Sequence, residues 1–546
     1  MTTPFPNTTV FTTVEERKGS STDTRSKVRA TQTSELVIAL CGPIGSPIHA
    51  VAKQLRDSIL KEFQYTKCEI IRLSKIIGER APEGTTIPEG KDQEYEKIKK
   101  LIELGDVLRK EYGKSVLVEI AIGTIITVDR ESRKVKSGAP NYEPARVCHI
   151  IDSIKNQEEL NLLRDVYGDM LYCVGVFSPL SERENNLKKR EMKPAQIHDL
   201  IDKDSGEEFA HGQKVGDTFP QADFFLRIDS DTDSKIAARV QRFLHIILGT
   251  KIITPTKAEN AMYAAASAAG NSACLSRQVG AAIVNDNGEV LGLGWNDVPK
   301  FGGNLYGSEP LNSLGENDHR CWNLQGGTCF NDQEKKYLAE VIVESLIHNK
   351  DPKNPEREKP LIQPSNKNEA IRCVQSNTKL QNLIEFSRSV HAEMHAIIVA
   401  SQVAGEQVKN SQLYCTTYPC HSCARHIIAA GIKDVYYIEP YRKSLAIRLH
   451  GDAMTESETG NGKVRILPYD GVAPSKYLKL FRMEPNSRKT EGKMSLPDAQ
   501  HARPRFDKSL EALPALEALV VKTLKEKNLL PLSEVSANEE RNDAST

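Results

Sequence analysis

Apolar and polar positions follow two rhythms along the chain. The stretch ELVIALCGPIGSP (35–47) opens with an unbroken apolar run and ends in a glycine turn, which predicts a buried strand running into a loop. Strand-length runs recur at 69–73 (EIIRL), 147–151 (VCHII), 171–177 (LYCVGVF) and 223–228 (DFFLRI). Helical patterns separate them, the clearest at 47–63 and 157–166. Strands alternating with helices predict an α/β unit with a parallel sheet and helices on both faces.

A second unit begins near residue 251. Thr256 and Glu259 have capping-box spacing ahead of the alanine-rich run AMYAAASAA. Strands are expected at 280–284 and 289–295, then a long insertion over 297–386 with one helical pattern near 332–348 and a Pro/Lys/Asn-rich loop (350–368). HAEMHAIIVA follows, then a strand at 411–416, a helix beginning at Pro419 and a strand at 434–438. The expected organisation is a leader over 1–34, one α/β domain over 35–250, a second over 251–485 and a polar C-terminal extension over 486–546. The leader is expected to be mobile and residues 530–546 disordered, from their polar composition.

Composition narrows the class. At 546 residues the chain is too long for one ordinary domain. Lys+Arg and Asp+Glu both total 73, so this is no basic coat for nucleic acid. No apolar run reaches membrane-spanning length, and MTTPFPNTTVFTT lacks the basic and apolar regions of a secretory signal. Eleven cysteines spread over such a length suit a reducing, cytoplasmic compartment with some thiolates on metal.

The candidate chemistry lies at two separated motifs. His391 and His395 sit four residues apart, the spacing of a zinc-protease helix, but Glu393 stands one place later than in H-E-x-x-H. That shift swings the carboxylate by about 100° around a helix. Downstream, Pro419-Cys420-x-x-Cys423 supplies a thiol pair. H-x-E followed by P-C-x-x-C is the signature of zinc-dependent nucleobase deaminases. His391, Cys420 and Cys423 then hold one catalytic Zn2+ and leave a fourth position for water, whose pKa the ion lowers. Glu393 is the proton carrier and not a ligand. Pro419 suits a first helical turn, which places both thiols at the positive end of a helix and favours thiolates. Ser387 and Ser389 are candidate caps before His391. His395 reads as a packing histidine, and His421 and His426 as spacers or surface residues.

This second unit resembles the deoxycytidylate deaminase branch of the cytidine deaminase superfamily. The residues that carry the likeness are 264–284 (AAASAAGNSACLSRQVGAAIV), GWNDVP (294–299), HAEMHAI (391–397), CTTYPCHSCARHIIAAGI (415–432) and DVYYIEPY (434–441). The resemblance implies an α/β/α sandwich and an Asn296 that contacts deoxyribose; from its neighbours alone, Asn296 is a turn residue. Ser276 and Arg277 fall in the S-R-x-V-G block, where Arg277 reaches phosphate or pairs with a carboxylate. Tyr441 and Lys443 bind base or phosphate, or lie on the surface. Some members carry a second, structural zinc near the region of the insertion. His319, Cys321, Cys329 and Cys373 are its candidates here, although their spacing matches no known pattern.

In the first unit, Gly42, Gly45 and Ser46 of GPIGSP occupy the context of a phosphate-binding loop, but no G-K-S/T follows. Without that lysine a contact to β/γ-phosphates is missing. The segment resembles P-loop nucleotide kinases in three further places. HIID ends in a Walker-B-like Asp152, residues 178–190 resemble a lid with Arg183 and Arg190, and residues 222–229 resemble a late strand. A degenerate kinase-like domain fused to a deoxycytidylate deaminase domain resembles a family of bacterial anti-phage deaminases, over roughly 35–485. That resemblance implies conversion of dCTP and dCMP to deoxyuridine nucleotides, and inhibition by a cognate noncoding RNA. Relatives commonly form homo-oligomers, and an allosteric nucleotide such as dTTP or dCTP is a further expected partner. Two rivals stand beside this expectation: a deaminase of single-stranded polynucleotide, and a nucleotide-sensing regulator in which zinc is structural.

Overall fold

Leu36, Ile38 and Leu40 pack into one core while Val37, Ala39 and Cys41 pack into another, so β1 (Leu36–Cys41) is buried on both faces. The computed structural model describes residues 33–82, 84–133, 145–205, 215–228, 233–307, 318–324, 326–351, 354–441, 444–483, 488–505 and 513–529. The expected tail over 530–546, Lys443 and all but two residues of the expected leader lie outside these.

The first sheet runs β2 (Lys67–Arg72), β3 (Val147–Ile154), β1, β4 (Leu171–Phe177), β5 (Phe224–Arg227), all parallel. Its longer helices are α1 (Ile48–Lys61), α2 (Glu94–Tyr112), α3 (Val116–Ile125), α4 (Gln157–Tyr167), α5 (Leu180–Lys188), α6 (Pro194–Ser205) and α7 (Asp233–Leu248). α1 and α4 answer the helical patterns at 47–63 and 157–166. α3 shows no such period, because every residue in it except Thr124 is buried.

The second unit opens with α8 (Lys257–Ala269), and its capping box forms as expected: Thr256 Oγ1 accepts from Glu259 N, and Glu259 accepts from Thr256 N. Antiparallel β6 (Gly280–Val284) and β7 (Val290–Trp295) follow, then the insertion with α9 (Phe330–Ile347) and α10 (Lys367–Asn377). The insertion has a small core of its own, Ala339, Val343, Ile347 and Ile371. α10 starts in the stretch expected to be a loop. After it come α11 (Ala392–Ala404), β8 (Gln412–Thr417), α12 (His421–Ala429), β9 (Asp434–Glu439), β10 (Met454–Thr455) and β11 (Val464–Pro468). The second sheet has the order β10-β11-β9-β8-β6-β7, parallel from β10 to β8 and antiparallel beyond.

The two units are not beads on a string. β12 (Gly471–Val472) leaves the second unit and pairs antiparallel with β5 of the first sheet. α13 (Leu513–Glu526), expected within a polar extension, buries Val520 and Leu524 in the core that includes α3, and Lys527 pairs with Glu119 at 2.7 Å. Among the described residues, no helix is long and apolar enough to cross a membrane.

Candidate metal centre and substrate cavity

Close helix–strand packing places the ligands. α11 lies against β7, where a Cβ on Gly294 would sit 2.2 Å from Ala392 O and one on Gly292 would sit 2.7 Å from Ala400 N. His391 is the N-cap of α11, and no side chain caps that end. Ser387 and Ser389 therefore do not cap it; Ser387 Oγ instead accepts from Ser389 N at 3.2 Å. α12 begins at His421, so Pro419 stands just outside the helix and Cys420 is its N-cap. Cys420 Sγ accepts from Cys423 N at 3.4 Å.

These caps bring His391 Nδ1 to 3.4 Å from Cys420 Sγ and 3.3 Å from Cys423 Sγ. A tetrahedral zinc with Zn–S of about 2.3 Å and Zn–N of about 2.0–2.1 Å sets its ligand atoms about 3.5 Å apart, so the donor set fits the ion. Proton balance agrees. Before metal arrives, the hydrogen bond with Cys423 pulls the Cys420 thiol down to about 4 against the opposing effect of burial, with His391 assisting. The hydrogen bond with Cys420 pushes His391 up to about 9. Cys423 is pushed well above the usual thiol range by its bond to Cys420 and by burial. Both shifts favour a thiolate beside an imidazolium, and binding of a metal ion requires the remaining ligand protons to leave.

Glu393 lies in the first turn of α11, only 4% exposed, and is not among the converging ligands. Burial raises its carboxyl above the usual range; the His391 charge opposes this and the Cys420 charge adds to it. Beside it lies Cys415 of β8, which sequence reasoning did not single out. His391, Glu393 and Cys420 line a cavity of about 340 Å³ together with Ser276, Arg277, Asn296 and Tyr441. Asn296 is used at both ends: Oδ1 accepts from Val279 N at 2.7 Å and Nδ2 donates to Arg277 O at 2.9 Å. Arg277 pairs with Glu439 at 2.8 Å. Ser276 Oγ lies 3.9 Å from Cys329 Sγ. His395 faces away from the metal; its Nδ1 accepts from Trp295 N at 3.2 Å and its Nε2 meets Asn304 Oδ1 at 3.0 Å. His421 meets Glu385 and His426 meets the Ser422 carbonyl, so neither is a ligand.

The expected second zinc site does not assemble. Among the described residues, His391, Cys420 and Cys423 are the one group of three that converges. Cys373 is exposed on α10, Cys329 Sγ lies 3.9 Å from Ser276 Oγ, and Cys321 lies in a short 3-10 turn. The insertion contributes to the catalytic cavity instead, through Asn331, Asp332, Lys335 and Gln381. No motif marks these residues in the sequence.

The glycine loop of the first sheet lines a larger cavity of about 530 Å³ with Ser46, Asp152 and Arg190. Gly42 is required by close approach, since a Cβ there would sit 2.1 Å from Val176 O; Gly45 has φ +85°. Asp152 is buried, its Oδ2 hydrogen-bonded to His49 Nδ1 and its Oδ1 without a partner. Asp204 Oδ2 accepts from Ile44 N at 2.7 Å, and Lys155 bridges Asp204 Oδ1 and Gly42 O at 2.8 Å each. Arg183 stacks over Phe177 and does not line this cavity.

Residues 255–439 match the family described as the cytidine and deoxycytidylate deaminase zinc-binding region. The second unit therefore carries a deaminase zinc-binding domain. ComE operon protein 2 of Bacillus subtilis (strain 168) is 46% identical over 56 residues, 10% of this chain and 29% of that protein, so the chain spans less than a third of that relative. The deoxycytidylate deaminase of Enterobacteria phage T4 is 27% identical over 177 residues, 32% of this chain and 72% of that protein. Among solved structures, the dCMP deaminase of cyanophage S-TIM5 in complex with dCMP and dUMP aligns at 21% identity over 40% of this chain and 98% of its own, with a TM-score of 0.22.

Proposed function

We propose that the protein hydrolytically deaminates free deoxycytidine nucleotides, dCMP and dCTP, to deoxyuridine nucleotides and ammonia. One observation carries this reading: the His391, Cys420 and Cys423 donor atoms all lie within 4.8 Å of one another, and His391 and Cys420 line a nucleotide-sized cavity with the buried Glu393. The likeness to a deoxycytidylate deaminase over 177 residues supports the substrate class. Zinc on the three donors supplies Lewis acidity and an activated water when bound. Glu393 takes one proton from the attacking water at its carboxylate and gives it to the ring nitrogen beside the reacting carbon, then carries the water's second proton from the newly formed hydroxyl to the leaving amine, which departs as ammonia. Burial in the low-dielectric pocket raises the Glu393 carboxyl above the usual carboxylate range, which favours its holding a proton between transfers. Asn296 fixes the loop that closes the cavity beside Arg277.

For the first unit the reading is a phosphate- or nucleotide-binding module without kinase chemistry, built on Gly42, Gly45, Ser46 and Asp152. The cavity beside the loop and the absent lysine support it. The wider reading, an anti-phage role with an inhibitory RNA, an allosteric dTTP or dCTP and a homo-oligomer, rests on the resemblance of residues 35–485.

Glu393→Gln tests the chemistry. Ammonia release from dCMP and dCTP is expected to fall by about 10²–10⁴-fold while zinc content stays at the wild-type level. Activity that survives this change, or a wild-type chain that turns over only a cytosine oligonucleotide, sinks the proposal.

A further inference from the structure

We infer that the insertion supplies the phosphate-reading end of the catalytic cavity, and that Lys335 is its specificity-determining residue. The inference rests on the deaminase reading above and adds what distinguishes a nucleotide from a nucleoside. Among the described residues, the lysine and arginine side chains that line this cavity are Arg277 and Lys335. Arg277 pairs with Glu439 at 2.8 Å and its side chain is 53% exposed, so it stands at the solvent edge of the cavity. Lys335 stands on α9, near its first turn, and its side chain is only 19% exposed. Its ammonium reaches Asp332 Oδ1 at 2.7 Å and the Gln381 carbonyl at 3.5 Å. Asp332 is 65% exposed, and such a solvent-screened pair is weak. A phosphate dianion is a stronger partner for the same ammonium than one exposed carboxylate.

The ammonium is held in place. Asn331 Nδ2 donates to Leu383 O at 3.0 Å, tying the start of α9 to the segment that ends at the cavity. Cys329 packs against Ser276 at 3.9 Å, which joins α9 to the loop carrying Arg277. The insertion's own core fixes the other end of the helix through Val343 and Ile347. A second observation points to a ligand at this rim. Asn331 and Asn382 line the cavity, and each carries a buried amide oxygen with no partner. A ligand that brings hydroxyl donors beside an anionic group, as a deoxyribose 5′-phosphate does, answers both the unpaired acceptors and the cation.

The test is steady-state kinetics of the full chain on deoxycytidine, dCMP and dCTP, with Lys335→Ala, Lys335→Arg and Asp332→Asn. Lys335→Ala is expected to lower the ratio of kcat/KM for dCMP over deoxycytidine by about tenfold or more, mainly through KM. Lys335→Arg restores most of the ratio, and Asp332→Asn raises it by removing the competing carboxylate. An equal loss on all three substrates means a merely structural role and overturns the inference, as does no loss at all. If the wild-type chain deaminates none of them, the deaminase reading fails separately. The inference is then decided by equilibrium binding, where Lys335→Ala must weaken dCMP relative to deoxycytidine, and unchanged relative binding overturns it.

Discussion

Asp297 joins three segments around the metal centre through one residue. Its Oδ2 accepts from Ala273 N at 3.0 Å and faces Arg320 at 3.4 Å, and its backbone carbonyl accepts from Val390 N at 2.9 Å, next to the ligand His391. Asp297 and Arg320 are 1% and 5% exposed, so removing the carboxylate leaves a buried N–H and half of a buried ion pair unmatched. Arg320 keeps Asp318, at 2.6 Å, which limits the damage. Asp297→Ala is expected to destabilise the fold by about 3 kcal/mol and to speed zinc loss to a chelator, read by thermal unfolding and by zinc release. A variant with wild-type melting and zinc retention would show that Val390 is held by other contacts. The ligands themselves were legible in the sequence, because His391-x-Glu393 and Cys420-x-x-Cys423 are local spacings at helix starts. Asp297 falls within GWNDVP, where the motif assigns it no role, and Lys335 falls in an insertion with no motif. Their functions depend on contacts between segments far apart in the chain, which no spacing records.

At the scale of elements, α6 and the glycine loop illustrate how a strand–loop–helix signal is incomplete alone. The loop was legible from GPIGSP between an apolar run and a helical pattern, and the missing lysine was visible too. Asp204 was not, because its bond to Ile44 N spans 160 positions. An N–H at a glycine loop before a helix attracts anions, and here a protein carboxylate that is 4% exposed already takes it. A nucleotide phosphate must compete with that carboxylate for both the amide and Lys155. Asp204→Asn is therefore expected to tighten ATP binding to the first unit by about fivefold or more, about 1 kcal/mol of lost repulsion, measured by titration calorimetry. Unchanged or weaker binding would place the phosphate elsewhere in the cavity. α10 and α3 were missed for opposite reasons: a Pro/Lys/Asn-rich lead-in masks the first, and uniform burial erases the period of the second.

Across the whole molecule, Glu259 sits where the units join. The sequence identified it as a capping residue, and it is one. The same carboxylate also binds Arg242 of α7 at 2.9 and 2.7 Å and accepts from Val472 N at 2.9 Å. Val472 belongs to β12, which continues the first sheet beyond β5, and Gly471 has φ +128° with its Cα facing the Glu259 side chain. One core cluster contains Ala261 and Met262 of α8 together with Phe225 of β5 and Leu524 of α13. These shared contacts argue that the units unfold together and not one after the other. Glu259→Ala removes the side-chain half of the capping box, the partner of Arg242 and the acceptor for Val472, and is expected to cost about 3–5 kcal/mol. Both tryptophans, Trp295 and Trp322, lie in the second unit, so their fluorescence reports that unit while far-UV circular dichroism reports the whole chain. In a denaturant titration with zinc release followed in parallel, all three signals are expected to move to lower denaturant by the same amount. If circular dichroism shifts while fluorescence and zinc release stay at the wild-type midpoint, the joint transmits nothing, and the metal centre is stabilised by its own unit alone.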